Sequence, residues 1–393
     1  MEKEAIKAEY RKYLFRDPSE LDFTKIESSE QLSRVLKNCD ERKEVEKVLN
    51  MISRCKIPTI LYKCSIGTSG YAVAARCNIF TLLSLGFPVR VEVIGMQNVN
   101  LEPSEDEKII YSLTHLKFEP DIIIHHSTPG KWQKEKGKIN IGLTVWEFDT
   151  LSKQWIEKMN QMDRIFTPSF ANVLDFKSQL QVPVSLFKTQ IRQKPITKQS
   201  TGKFTFYTIA EWSNRKSIDE LIQCFSELFT NNDDVALYIK TNREKNITLP
   251  KNITVDIRNL TDSQLQNIHA KGDCYISLSK GEGTGLGACD ACLAGNQLIL
   301  TDCSGHNEYI KNFHVVDTIS EEINMCDSFP EHSECKNGIC KIYPWFTKEM
   351  KWRKPKLDSA KKKMEEVYKG SYLRSRLSDN NFEITDLIFS LIK

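Results

Sequence analysis

Short apolar runs that alternate with helix-like stretches constrain this chain most. From Pro58 onward the alternation is sustained. Ile60-Leu61-Tyr62 leads into a Gly-containing loop, Gly67-Thr68-Ser69-Gly70, then an apolar helix from Ala72 to Leu85 that stops at Gly86. Strands are expected at Val89–Ile94, Asp121–His125, Ile139–Val145, Ile165–Thr167 and Val182–Leu186. A second series starts at Phe204-Thr205-Phe206-Tyr207. It continues with a helix Ile218–Phe229, strands Val235–Ile239 and Ile253–Ile257, a helix Asp262–Ala270, a strand Cys274–Leu278, a helix Gly287–Ala294 and a strand Gln297–Thr301. Strands this short and apolar, joined through helices, imply parallel sheets covered by helices on both faces.

The chain has 393 residues, enough for two domains that each bury a core. The expected division is a helical N-terminal extension 1–56, a first Rossmann-like domain 57–187, a polar linker 188–202, a second Rossmann-like domain 203–375 and a closing helix in 376–393, formed by Glu383–Ile392. The 1–56 stretch shows helical spacing at Leu32, Val35 and Leu36, then Val45, Val48, Leu49 and Ile52. Net charge is +3, from 55 basic and 52 acidic residues, which leaves no electrostatic footprint for nucleic acid. Met1-Glu2-Lys3-Glu4-Ala5 is charged rather than apolar, and runs such as Ile79–Leu85 are too short to span a bilayer. A cytoplasmic, reducing compartment is therefore expected, with the 12 cysteines mostly free thiols. The sequons at Asn246, Asn252 and Asn259 carry no weight without secretion.

The segment Ser279-Lys280-Gly281-Glu282-Gly283-Thr284-Gly285-Leu286-Gly287-Ala288-Cys289-Asp290 joins an expected strand to an expected helix. Its glycines allow close approach of the backbone to a ligand, and amides at a helix N-terminus hold a diphosphate. Glu282 at the loop tip can reach a sugar. Asp290, inside the first turns, can accept hydrogen bonds from ribose hydroxyls. A tight turn with a solvated acid would use the same residues. Arg215-Lys216 follow the first strand of the second domain, where cations can neutralise a diphosphate leaving group. Gly67 to Gly70 offer a phosphate loop in the first domain, with Gly70 as the binding position.

This loop and helix resemble the signature of retaining GT-B glycosyltransferases, in which an acid, seven residues and a second acid bracket a Gly-rich turn. Here these are Glu282 and Asp290, with Asp in place of the usual Glu. Leu293–Asp302 and Ser304-Gly305-His306-Asn307-Glu308 are similar to the family's continuation, and so upstream are Gly142–Glu147, Thr167-Pro168-Ser169 and Arg215-Lys216. The resemblance covers about residues 57–375. Two features depart from it: Thr208-Ile209-Ala210-Glu211 replaces a common Gly-Arg pair, and Gly287 replaces a common proline.

The resemblance implies a GT-B fold, two Rossmann-like doubly wound domains facing each other across a cleft. It implies a hexosyl or other glycosyltransferase acting on a UDP- or GDP-sugar with retention and without a metal or cofactor. Glu282 would contact the donor sugar. Gly283, Thr284, Gly285 and Leu286 would bind sugar and phosphate through their amides. Asp290 would bind ribose, and Arg215 and Lys216 the diphosphate. The leaving phosphate would assist deprotonation of the acceptor.

On the acceptor side, His126 can line a pocket, while Trp146 and Glu147 offer a stacking face and a hydrogen-bond acceptor. Packing roles for His126 and Trp146 stand equally open. The acceptor, whether glycan, protein, lipid or small molecule, is unnamed by the sequence. Cys326, His332, Cys335 and Cys340 lack a C-x-x-C pair, which favours free thiols over zinc. Two competing readings remain. Gly283-x-Gly285-x-x-Ala288 with Asp302 fits an NAD(P)-dependent oxidoreductase. The second is an inactive sugar-binding protein.

Overall fold

A computed structural model describes residues 57–97, 103–191, 196–242, 246–323 and 350–378, with a few isolated positions. The expected extension 1–56, the closing helix Glu383–Ile392 and the residues Cys326 and His332 lie outside the described residues, as do the side chains of Cys335 and Cys340. The described chain packs as two compact units. One takes residues up to 144 together with 161–166 and 382–393; the other takes 145–160 and 167–381.

The first sheet has six strands in the order β2-β1-β3-β4-β5-β6. They are β1 (Ile60–Gly67), β2 (Val89–Gln97), β3 (Ile122–His126), β4 (Ile139–Leu143), β5 (Arg164–Thr167) and β6 (Val184–Leu186). Every residue of β3 is buried, as a parallel strand between two neighbours requires. Helix α1 (Gly70–Ser84) starts at Ser69, whose hydroxyl accepts from the Ala72 amide. It ends where Gly86 takes φ +93 and the amides of Gly86 and Phe87 return to Leu83 and Leu82. Helix α2 (Glu105–Thr114) was not expected from apolar spacing; α3 (Lys153–Met159) and α4 (Phe170–Gln179) follow. The chain reverses its direction across the sheet at β1, so the ends of β1 and β3 meet at the switch point.

The second sheet has the order β13-β11-β10-β7-β8-β9. Its strands are β7 (Phe204–Ile209), β8 (Val235–Lys240), β9 (Ile253–Asp256), β10 (Cys274–Ser277), β11 (Gln297–Thr301) and β13 (His314–Val316). Helix α5 (Ile218–Phe229) buries Ile218, Leu221, Cys224, Phe225 and Phe229 against Phe206, Leu237 and Ile239. Each such large side chain taken from water contributes about 1.5–3 kcal/mol. Next come α6 (Asp262–Lys271), α7 (Leu286–Leu293) and α8 (Ser304–Tyr309). Small residues let α7 lie close to the sheet: Ala288, Cys289, Ala291 and Cys292 pack on Tyr207, Tyr275, Leu298 and Leu300. Three antiparallel pairs complete the strands: β12 (Ile310–Lys311) with β18 (Arg376–Leu377), β14 (Thr318–Glu322) with β17 (Lys351–Pro355), and β15 (Cys335–Lys336) with β16 (Ile339–Cys340). Helix α9 (Leu357–Tyr368) adds Ala360, Met364 and Val367 to the core over α5.

The α/β class with two parallel sheets is thus as expected; the sixth strand of the second sheet, β13, was not among the expected strands. Among the described residues no helix is long and apolar enough to cross a membrane.

Candidate functional site

Strands β7 and β10 are parallel neighbours where the second sheet reverses its order. Ligand sites in such sheets form at the carboxyl ends of the strands beside the reversal. Both ends here carry charged loops. After β7, Asn214–Lys216 form a single 3-10 turn. After β10 comes the loop that contains Glu282. The two are laced together: the Lys280 amide donates to Arg215 O at 2.8 Å, and Arg215 Nη1 donates to Gly281 O at 2.7 Å. Arg215 also stands 3.4 Å from the Glu147 carboxylate. Lys216 and Glu282 form an ion pair, with side chains 16% and 12% exposed.

Burial pushes the Glu282 carboxyl upward in pKa. Lys216 outweighs that, with help from His306 and Arg215, and holds it at about 2. The group is therefore a carboxylate throughout the neutral range. A half-buried charge of this kind persists only with its partner in place. Burial lowers the pKa of the adjacent His306, and the Glu282 charge works against that shift.

Helix α7 opens directly after this acid. Its N-cap, Gly285, has φ +74 and no side chain caps the first turn. A Cβ at Gly285 would also stand 2.5 Å from His306 Cδ2. First-turn amides and the helix dipole thus present positive potential beside Glu282. Two other glycines are needed by the packing of the loop itself. A Cβ at Gly281 would meet Glu147 O at 2.5 Å, and one at Gly283 would meet Val145 Cβ at 2.8 Å. These positions admit the 145–147 segment of the protein. At Gly287 a Cβ would meet the Tyr275 hydroxyl at 2.7 Å. Thr284 is buried and Leu286 half-buried. Asp290 is half-buried in α7; burial raises the pKa of the Tyr275 and Tyr207 hydroxyls, and the Asp290 charge adds a little in the same direction.

The remaining expected residues fall as follows. Gly70 is the first residue of α1, and a Cβ there would meet nothing within 4 Å. His126 ends β3 and is buried, with Nδ1 2.8 Å from the Tyr62 hydroxyl. Desolvation drops its pKa to about 3, so it is a neutral ring. Trp146 is 3% exposed; it donates from Nε1 to Thr150 O and packs on Phe148 and Trp155. Its ring faces are taken up by packing, which corrects the stacking role expected for it. Among the described residues no group of His, Cys, Asp and Glu is placed to hold a metal ion.

Sequence reasoning passed over Lys280. Its side chain is 4% exposed. It bonds Asn214 Oδ1, lies 3.2 Å from Glu220 and sits 4.7 Å above the Trp352 ring. It therefore fastens the cationic turn to the acid loop and to β17. Its place beside Glu282 was a signal in the sequence; its partners come from segments far away in the chain.

No protein-family model matches this chain, and no curated protein matches it. Solved structures do. TarM of S. aureus is 17% identical over 50% of this chain and 44% of its own, with a TM-score of 0.43. HepE of Anabaena, solved with UDP and glucose, is 12% identical over 66% of this chain and 86% of its own, at 0.46. WaaG, a glycosyltransferase involved in lipopolysaccharide biosynthesis, is 12% identical over 67% and 86%, at 0.45. These are GT-B glycosyltransferases. The chain spans under half the length of TarM. With identities this low and TM-scores below 0.5, the chemistry has to be read from the site's own residues.

Proposed function

We propose that this chain is a glycosyltransferase that moves a sugar from a UDP- or GDP-sugar to an acceptor hydroxyl with retention of configuration. One observation carries the reading. An ionised Glu282, Lys216, Arg215 and the uncapped start of α7 converge at the switch point of the second sheet. Such a set binds a sugar hydroxyl beside a diphosphate.

In the proposed reaction the bond from the anomeric carbon to the diphosphate oxygen breaks. The acceptor oxygen bonds to that carbon on the same face, and its proton passes to the leaving phosphate. Arg215, Lys216 and the α7 amides hold the charge that develops on the leaving group, so the reading calls for no metal ion. The donor diphosphate competes with Glu282 for Lys216, leaving the carboxylate to accept from the sugar. Asp290 takes the ribose, and Glu147, already beside Arg215, is the nearest acid on the acceptor side. The acceptor is a glycan, protein or lipid, and the compartment is cytoplasmic.

Hydrolysis and transfer assays with UDP-glucose and GDP-mannose test this. Glu282→Gln should lower the rate at least a hundredfold while circular dichroism stays unchanged. UDP or GDP should protect the protein from thermal unfolding and NAD should not. Full activity in Glu282→Gln would overturn the role given to Glu282; protection by UDP or GDP with no transfer or hydrolysis by the parent would favour an inactive sugar-binding protein, and protection by NAD alone an oxidoreductase.

A further inference from the structure

We propose that the cavity formed by α8, β12 and β18 binds a phosphate group, either free phosphate or a phosphomonoester. The cavity measures about 480 Å³, and its lining includes Lys188, Asn307, Glu308, Lys311, Arg376 and Ser378.

Its charge is unbalanced. Lys311 and Arg376 are direct partners across the antiparallel pair β12–β18, and like charges placed opposite each other destabilise a ladder. Lys311 Nζ donates only to the neutral Asn307 O, at 3.1 Å, and Lys188 Nζ lies 5.6 Å over the Tyr309 ring. Among the described residues none of the three cations is paired with a carboxylate. Glu308, the acid on the lining, is already engaged: its two oxygens accept the amides of Phe170 and Ala171 at 2.5 and 2.8 Å and cap helix α4. The Asn307 amide is likewise occupied, donating to Asp302 at 2.6 Å.

A second observation points the same way. Ser378 Oγ is buried without a hydrogen-bond partner, although its backbone amide is fixed at 2.8 Å from Tyr309 O. A buried hydroxyl left unsatisfied costs of order 1–3 kcal/mol, which an oxygen-rich anion relieves. An arginine fork with two lysine point charges suits a tetrahedral anion whose oxygens accept from several directions. The volume exceeds that of phosphate alone and leaves room for an organic part. Helix α8 ties the cavity to the Glu282 loop, since the Gly305 amide donates to Glu282 O at 3.1 Å.

Calorimetric titration of the full chain with inorganic phosphate and with glycerol 3-phosphate, at ionic strength fixed by sodium chloride, tests the site. Saturable binding is expected, weakened about tenfold or more in the Lys311→Gln, Arg376→Gln double variant and unchanged in Lys203→Gln. The double variant should unfold no earlier than the parent without ligand, because a like-charge pair has been removed. Tighter binding of glycerol 3-phosphate assigns the cavity to a phosphomonoester; tighter binding of inorganic phosphate assigns it to the free ion. Absence of saturable binding, equal binding by the double variant, or the same response to chloride alone would overturn the site.

Discussion

Glu282 stays ionised at low exposure because Lys216 lies against it, and that pairing makes the loop a charged device rather than a turn. The glycines around it divide by what a side chain would meet. Gly283→Ala drives a methyl group into Val145 and should cost about 1–3 kcal/mol. Gly70→Ala meets open space in the first turn of α1 and should leave stability unchanged or raise it by about 0.5–1 kcal/mol. Denaturant midpoints of both variants check this. If Gly70→Ala also weakens UDP binding, the glycine serves the ligand; unaltered binding leaves it the first residue of α1 and nothing more. Ser217 shows the same local logic in reverse. It is a non-glycine residue at φ 51, directly after the cationic turn, and its buried hydroxyl has no partner in the described structure. That backbone costs of order 1 kcal/mol and is held by the surrounding packing.

At the scale of elements, most strands and helices with strong apolar runs were legible to within a residue or two, but β1 and β2 run on to Gly67 and Gln97, five and three residues past their expected ends. Helix α7 starts at Leu286 rather than Gly287 because Gly285 takes the left-handed cap. Helix α2 went unseen although Ser104 and Glu107 write a capping box in the sequence: Ser104 Oγ accepts the Glu107 amide, and Glu107 accepts the Ser104 amide. Ser104→Ala should therefore lower stability by about 1 kcal/mol, read from the urea midpoint, and a variant as stable as the parent would show the box to be idle. Pairings such as β14 with β17 had no comparable signal, since their register comes from partners far apart in the chain. Glu308 capping the unrelated helix α4 is a contact of the same kind.

At the scale of the molecule, each unit buries a neutral histidine against a tyrosine in its sheet. His126 meets Tyr62 at 2.8 Å, and His269 meets Tyr207 at 2.8 Å. Desolvation lowers their pKa values to about 3 and about 4, below the ordinary 6.5. The unfolded chain therefore takes up protons below pH 6.5 that the folded chain refuses. Stability falls as pH drops from 6.5 toward 4, by about 3 kcal/mol for His269 alone. Glu282 acts in a lower window: its folded pKa of about 2 lies below 4.5, so its stabilisation is complete above pH 4.5 and lost as pH falls through 2. Urea midpoints at pH 7, 5 and 4 should show the first loss. His269→Gln should roughly halve it, since His126 supplies the rest, and an unchanged slope would rule out His269 as a source.

The sequence alone determined the α/β class, the two parallel sheets and the loop that carries Glu282, because apolar periodicity and glycine-punctuated strand-to-helix turns are local properties of the chain. Only tertiary structure decided that Lys216 pairs with Glu282, that Gly281 and Gly283 make room for Val145 and Glu147, and that Trp146 and His126 are buried. Those facts depend on which distant segments share a strand end, and charge pairing and burial follow distance in space rather than distance along the chain.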